Sequence, residues 1–173
     1  MTEIKRDNMI LALDQSTTAT GWSLFKNEKL IDYGVFKPNG DRNKRINDMR
    51  SWLEHKVEEI SLDASLELVL VLEDIQMQRN VETYKSLAQL QGVLINLGYI
   101  MEKKGKINRT VIYYSSEWKK TCGIKGRLSA EQKANAQQHI VDKYKVKVTQ
   151  DTCDAICLGE HHIHVDNSEI NFG

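Results

Sequence analysis

Short apolar stretches recur in this sequence at lengths that are typical of β-strands rather than of helices. Residues 9–14 and 66–73 are apolar almost throughout, which predicts strands that are covered on both faces. Three further stretches predict strands at residues 20–25, 30–36 and 110–114. The first three strands follow one another through polar turns, so we expect them to form an antiparallel meander.

Helical spacing of apolar residues predicts two long helices, over residues 43–60 and 81–103. Ser129 and Gln132 are typical of a capping box at the start of a third helix, and Asp151 opens a fourth. A strand, a helix and a strand in succession imply a parallel crossover. The sequence therefore predicts an α/β fold, with a five-stranded mixed sheet of an antiparallel meander plus parallel strands, flanked by helices.

Three polar segments are predicted to lie outside these elements. Residues 74–80 have no clear period and predict a loop at the carboxyl end of a strand, where open α/β sheets place their sites. Residues 118–127 predict a basic loop. The polar tail after His164 is expected to be frayed.

The composition predicts a single intracellular domain over residues 1–173. Lys plus Arg and Asp plus Glu are equal at 24 each, so a nucleic acid would have to be bound by local basic patches. We expect a cytoplasmic protein without membrane contact, because the longest apolar stretch is too short for a span and no signal peptide opens the chain. The three cysteines are typical of reduced thiols.

Acidic residues stand at positions where their side chains could meet. Asp14 and Glu73 end the two most apolar strands, while Asp151 and Asp154 share one face of the terminal helix. These hard oxygen ligands suit Mg²⁺, with Mn²⁺ as a substitute. Two such ions about 4 Å apart could activate a water and stabilise the departing oxygen of a phosphodiester.

Each acid also has a simpler interpretation. Asp151 could merely favour a helix N-terminus, and Asp14 could cap a turn. Glu73 is harder to explain in this way, because a carboxylate after so apolar a run is costly without a cation or a donor.

A cluster of basic residues precedes the terminal helix. We favour DNA phosphates as its partner over a merely solvated surface, because the cluster is adjacent in sequence to the acidic pair, and Trp118 and Tyr114 could add aromatic surface. Its members are Lys119, Lys120, Lys125 and Arg127, followed by Lys143, Lys145 and Lys147.

Cys153, Cys157 and His161 follow one another at four-residue spacing on the terminal helix. One straight helix cannot surround a tetrahedral zinc ion, so we interpret the cysteines as small core residues. His161 or His162 could reach the acidic site as an auxiliary acid or base, but a surface histidine is the simpler interpretation.

Several short motifs, taken in order along nearly the whole chain, resemble the RuvC-type Holliday junction resolvases. They are residues 13–22, beginning Leu-Asp-Gln-Ser-Thr, then Leu72-Glu73-Asp74, Trp118-Lys119-Lys120-Thr121, residues 129–133, and Asp151-Thr152-Cys153-Asp154-Ala155. Members of that family have a ribonuclease H-like fold and act as homodimers on four-way DNA junctions.

The resemblance implies a role for each matching residue. Asp14, Glu73, Asp151 and Asp154 would hold divalent metal as catalytic residues. Lys119 and Lys133 would lie near the scissile phosphate and the DNA backbone, and Lys133 would take part in catalysis. The helix over residues 81–103 would form the dimer interface and so place two active sites on one junction.

Two departures from the family distinguish this chain. The family usually has a glycine shortly after the first aspartate. This chain has Gln15, Ser16 and Thr17 there, which leaves the backbone less free. Gln76 stands where bacterial members carry an aromatic residue that stacks on junction bases. Both departures are consistent with a phage-type member of the family that prefers a different DNA sequence at the junction.

Three rival interpretations stay open from the sequence. Residues 13–18 also resemble the phosphate-binding segment of sugar kinases and actin-like ATPases, although this chain has no later glycine-rich loop. A branched-DNA-binding protein that does not cleave would not need all four acids. A plain ribonuclease H would prefer RNA/DNA hybrids to junctions.

Overall fold

The computed structural model describes residues 7–63 and 65–170. A five-stranded sheet forms its centre, in the order β3-β2-β1-β4-β5. Strands β1, β2 and β3 form an antiparallel meander, whereas β4 is parallel to both β1 and β5. The predicted mixed sheet is confirmed. The strands are β1 (Asp7–Asp14), β2 (Thr20–Lys26), β3 (Lys29–Phe36), β4 (Leu66–Glu73) and β5 (Arg109–Tyr113).

Helices cover both faces of the sheet. Alternate residues of β1 point to opposite layers, so that Leu11 packs with α1 and α2, while Ala12 packs with α3, α4 and α5. None of the helices in the described ranges has the length and apolarity that crossing a bilayer requires. The helices are α1 (Arg42–Ile60), α2 (Val81–Lys103), α3 (Ser115–Thr121), α4 (Ser129–Tyr144) and α5 (Gln150–Ile170).

The register between β1 and β4 brings two acidic residues to one edge of the sheet. Leu13 lies opposite Leu72 in this parallel pair, and the next residue of each strand is acidic. Asp14 and Glu73 therefore leave adjacent strands at the same level. The apolar runs that precede them anchor both positions, because their side chains are buried in the two layers.

The predicted capping box at Ser129 is wrong. Ser129 is the first residue of α4, and Leu128 before it makes no capping hydrogen bond through its side chain. The amide of Gln132 instead donates to the carbonyl oxygen of Gly126 at 2.9 Å. This contact closes the loop before α4 rather than the first turn of the helix.

Two of the predicted loops are partly helical. Residues 118–121 belong to α3, whose first turn is stabilised by the Glu117 carboxylate, which accepts from the backbone N–H of Tyr114 at 2.6 Å. The tail after His164 continues as α5 as far as Ile170, and Asp166 there pairs with Arg109 at 2.8 Å. The expectation of a frayed tail is wrong for these residues, and residues 171–173 lie outside the described ranges.

Leu11→Ala should lower the free energy of unfolding by about 3 kcal/mol, because a fully buried side chain leaves a cavity when it is truncated. Urea denaturation of the purified protein measures this change. Leu62→Ala is the matched control, since Leu62 is 84% exposed and its truncation should change little. Equal stabilities of the two variants would contradict the assigned core.

Candidate active site

The four carboxylates that the sequence singled out line one cleft of about 310 Å³ at the carboxyl edge of the sheet, together with the carboxylate of Asp74. Asp14 and Glu73 come from the ends of β1 and β4, and Asp151 and Asp154 come from the first turns of α5. The structure thus brings together side chains that are separated by up to 140 residues of sequence, Asp14 being the first and Asp154 the last.

The start of α5 is held against β2 by direct backbone contact. A Cβ atom on Gly21 would lie 1.9 Å from the carbonyl oxygen of Asp151, so only glycine allows this approach. The hydroxyl of Thr152 donates to the carbonyl oxygen of Gly34 at 2.9 Å, and that of Ser23 donates to the carbonyl oxygen of Ala155 at 2.8 Å. These contacts determine where the two aspartates of α5 lie.

Gln15 joins the ends of the two acidic strands. Its amide nitrogen donates to the carbonyl oxygen of Glu73, and its amide oxygen accepts from the backbone N–H of Glu73 at 3.2 Å. The residues that follow Asp14 do not have positive φ angles, so no glycine is required there. Instead of the conformational freedom of a glycine, this chain therefore has the side chain of Gln15, which links the ends of β1 and β4.

Trp118 orients the carboxylate of Glu73. Its indole N–H donates to Oε2 of Glu73 at 2.7 Å, and its ring is only 2% exposed. The expectation that Trp118 offers aromatic surface to DNA is therefore wrong, because the ring is buried between α3 and the sheet. Tyr114, in contrast, is 57% exposed. In the sequence Trp118 stands beside Lys119 shortly after β5, and this position does not predict its hydrogen bond to Glu73.

Burial and mutual repulsion raise the pKa values of three acids in the cleft, Asp14, Glu73 and Asp154. Burial raises the pKa of Asp14 well above its usual value, and the charges of the other three carboxylates raise it further. Burial raises the pKa of Glu73 to about 7, against the opposing hydrogen bond from Trp118, and that of Asp154 to about 6. Such a group of hard oxygen ligands is suited to a divalent cation.

Two of the predicted lysines lie at the cleft. Lys119 lines it, and its positive charge opposes part of the rise in the pKa values of Asp14, Glu73 and Asp154. Lys133 on α4 lines an adjoining smaller cleft together with Asp154 and Lys119.

The other predicted basic residues lie outside the acidic cleft. Lys120 faces a separate groove between α3 and α5. Lys125 and Arg127 are exposed in the loop between α3 and α4. Neither of the two clefts that contain the carboxylates is lined by any of these three residues.

His161 and His162 do not reach the acidic cleft. Both are buried, and they contact Thr121 at 2.7 Å and the hydroxyl of Tyr113 at 2.8 Å, respectively. Both predictions for them, an auxiliary acid or base and a surface histidine, are wrong, because α5 carries them two turns and more beyond Asp154.

The loop after β4 contributes polar contacts to the cleft. Gln76 lines it and hydrogen bonds to the hydroxyl of Ser115. Asp74, a fifth acid that the sequence did not single out, accepts from the amide of Gln91 at 3.0 Å and from the backbone N–H of Ile75 at 2.8 Å. These partners hold the Asp74 carboxylate in the loop.

The sheet order, the two helical layers and the acidic cleft define a protein of the ribonuclease H-like class. A family model described as crossover junction endodeoxyribonuclease RuvC matches residues 10–162. The chain therefore belongs to the RuvC family of crossover junction endodeoxyribonucleases. This membership decides against the sugar-kinase and actin-like interpretations.

Two solved structures from Thermus thermophilus share this fold. RuvC in complex with Holliday junction substrate matches with a TM-score of 0.70 and 10% identity, covering 92% of this chain and 96% of that one. A second RuvC structure matches with a TM-score of 0.69 and 11% identity, covering 93% and 96%. A search of curated protein sequences found no significant match.

With metal removed by a chelator, the wild type should lose stability relative to Glu73→Gln as the pH rises from 4.5 to 7. The folded-state pKa of Glu73 is raised from 4.5 to about 7, so the folded protein holds a proton that the unfolded chain releases earlier. This contribution is gone above pH 7 and is on the order of 3 kcal/mol.

Urea denaturation at a series of pH values measures this difference. Glu58→Gln removes an exposed acid of α1 and should keep the wild-type profile. Parallel profiles for the wild type and Glu73→Gln would show that Glu73 is not in the environment described above.

Proposed function

We propose that this protein is a Mg²⁺-dependent, homodimeric endonuclease that resolves Holliday junctions and other branched DNA by paired phosphodiester hydrolysis. The observation that supports this most directly is the convergence of four half-buried carboxylates beside a lysine in one cleft. The family adds the reaction class, and its nucleases need divalent metal ions.

Asp14, Glu73, Asp151 and Asp154 would hold the metal. Their oxygens are the ligands that Mg²⁺ or Mn²⁺ prefers, and the raised pKa values of Asp14, Glu73 and Asp154 reflect burial together with neighbouring negative charge that a cation would neutralise. Bound Mg²⁺, two ions per site, would activate the attacking water and stabilise the departing oxygen.

The neighbouring residues of the chain would position the DNA and the acids. Lys119 in the cleft would offset the charge of the scissile phosphate, and Lys133 in the adjoining cleft would assist it. Trp118 would keep one oxygen of Glu73 directed away from the metal. In-line attack would leave 5′-phosphate and 3′-hydroxyl ends, which a ligase can seal.

Branched DNA is the substrate that the site and its surroundings favour. The T. thermophilus protein of the same fold is described in complex with a Holliday junction. Lys120, Lys125 and Arg127, outside the cleft, would bind phosphates of the junction arms. Gln76 has no aromatic ring and hydrogen bonds to Ser115, so we expect no stacking on DNA bases from that position.

Helix α2 would form the dimer interface through its outer face. Tyr84, Ile95 and Tyr99 are exposed there at helical spacing, and a Cβ on Gly92 would meet only open space. Residues such as Gln91 and Leu94 face the core instead, so the interface would not use them. Two copies joined in this way would present two clefts to one junction.

Glu73→Gln should abolish Mg²⁺-dependent cleavage of a labelled four-way junction, by about 100-fold or more, while junction binding changes little. Cleavage gels and mobility shifts with the same junction measure both. Glu58→Gln is the control and should cleave like the wild type.

Other outcomes of the same assay separate the rival functions. A wild type that binds junctions without cleaving them in Mg²⁺ or Mn²⁺ would make it a binding protein. A wild type that cleaves RNA/DNA hybrids better than junctions would make it a ribonuclease H.

Ile95→Arg should convert the protein to a monomer, because the new charge would have to be buried in the interface. Sedimentation equilibrium measures the mass, and Ile31→Arg, which changes an apolar side chain of β3 that is 52% exposed, is the control. Unchanged mass in Ile95→Arg would place the dimer contact elsewhere.

A further inference from the structure

A second group of metal-ligating side chains lies where α3, α4 and α5 meet, outside the lining of the carboxylate cleft. Cys122 directly follows α3, His139 lies on α4, and Cys157 lies on α5. One ligand atom of each lies within 4.8 Å of those of the other two. Two sulfurs and an imidazole from three separate helical segments thus surround one point.

The carboxylate of Glu160 lies beside two members of this group. It lies three residues after Cys157, so the two side chains share one face of α5. Its side chain is only 7% exposed, and its Oε2 lies 2.7 Å from Nε2 of His139 and 3.3 Å from Sγ of Cys122. Glu160 therefore contacts two of the three members of the group and is the candidate for a fourth ligand.

The other carboxylate oxygen of Glu160 has its own polar partners, Tyr144 and Lys143. Its Oε1 accepts from the hydroxyl of Tyr144 at 2.5 Å and lies 2.9 Å from Nζ of Lys143. Such outer contacts typically orient a carboxylate ligand toward a metal. Two thiolates and one carboxylate would also match in charge the sum of Zn²⁺ and the Lys143 ammonium.

We infer that Cys122, His139, Cys157 and Glu160 form a structural zinc site. Thiolate, imidazole and carboxylate are the ligands that tetrahedral zinc takes, and hard ions such as Mg²⁺ do not compete for sulfur. Metal-ligand distances near 2.0–2.3 Å require ligand atoms about 3.5 Å apart, so Cys122, His139 and Cys157 need only small side-chain rotations, and Glu160 would turn its carboxylate from His139 toward the ion. Four protein ligands leave no open position, which makes the site structural rather than catalytic.

The zinc would hold together three segments that carry residues of the acidic cleft or of the smaller cleft beside it. Lys119 lies one turn before Cys122, Lys133 lies on α4 with His139, and Asp154 lies one turn before Cys157. The inference concerns metal binding alone and does not depend on the proposed nuclease function.

Cobalt titration tests the site on the full-length chain. Protein purified without a histidine tag is reduced, stripped with a chelator and titrated with Co²⁺ in excess Mg²⁺, which occupies carboxylate sites. We expect one equivalent of tetrahedral Co²⁺ with sulfur-to-cobalt charge-transfer absorption, displaced by Zn²⁺. The carboxylate cleft has no sulfur among its lining residues and cannot give this signal.

Matched cysteine variants identify the ligands. Cys122→Ser should lose the charge-transfer band or weaken binding about 100-fold, whereas Cys153→Ser, which changes a buried cysteine outside the group, should keep it. Circular dichroism confirms folding. Since Cys122 is only partly buried, Cys122→Ser decides the question even where Cys157→Ser does not fold.

Zinc should also raise the melting temperature of the wild type but not that of Cys122→Ser. A reduced wild type without a charge-transfer band, or a band that persists unchanged in Cys122→Ser, would overturn the inference. Neither result would bear on junction cleavage, which is measured separately.

Discussion

Mutual repulsion of buried carboxylates is the constraint on which the rest of this structure depends. Asp14, Glu73, Asp151 and Asp154 share one cleft, where burial and neighbouring negative charge raise the pKa values of Asp14, Glu73 and Asp154. A chain free to rearrange would separate them. The two apolar layers prevent this, because the strands and the helix that carry the acids are anchored by fully buried residues. Stability stored in the core is thereby used to maintain a site that needs a cation.

Polar side chains refine what the core holds in place. Gln15 links the ends of β1 and β4, and Trp118 directs one oxygen of Glu73. Both act on Glu73, the acid that follows the most apolar strand and has the greatest need of a donor. Because Gln15 and Trp118 carry no charge, they position Glu73 without neutralising it, and among the described residues lining the cleft only Lys119 offsets the negative charge.

Much of this arrangement could be predicted from local sequence. Two apolar runs that each end in an acid place Asp14 and Glu73 at one edge once the strands are parallel, and the three-residue spacing places Asp151 and Asp154 on one helical face. The seven-residue helix α3 was missed because it is too short to show a period.

Contacts between elements that are far apart in the sequence could not be predicted from its local patterns. The partner of Trp118 depends on how α3 packs on the sheet, and the burial of His161 and His162 depends on the same layer. Likewise, four-residue spacing on α5 drew attention to Cys153, Cys157 and His161, whereas Cys157 lies beside Cys122 and His139 from other helices. Tertiary packing, not spacing along one helix, determines which sulfur and nitrogen atoms meet.

The contact between Gly21 and the first turn of α5 has a consequence for divergence. It joins main-chain atoms to main-chain atoms, so the separation between sheet and helix is independent of the identity of almost every side chain nearby. Substitutions can therefore accumulate over the outer surface of α5 and of the meander without altering where its aspartates lie. A geometry fixed in this way tolerates sequence drift at exposed positions, provided that Gly21 stays without a side chain and that Ser23 and Thr152 keep their hydroxyls.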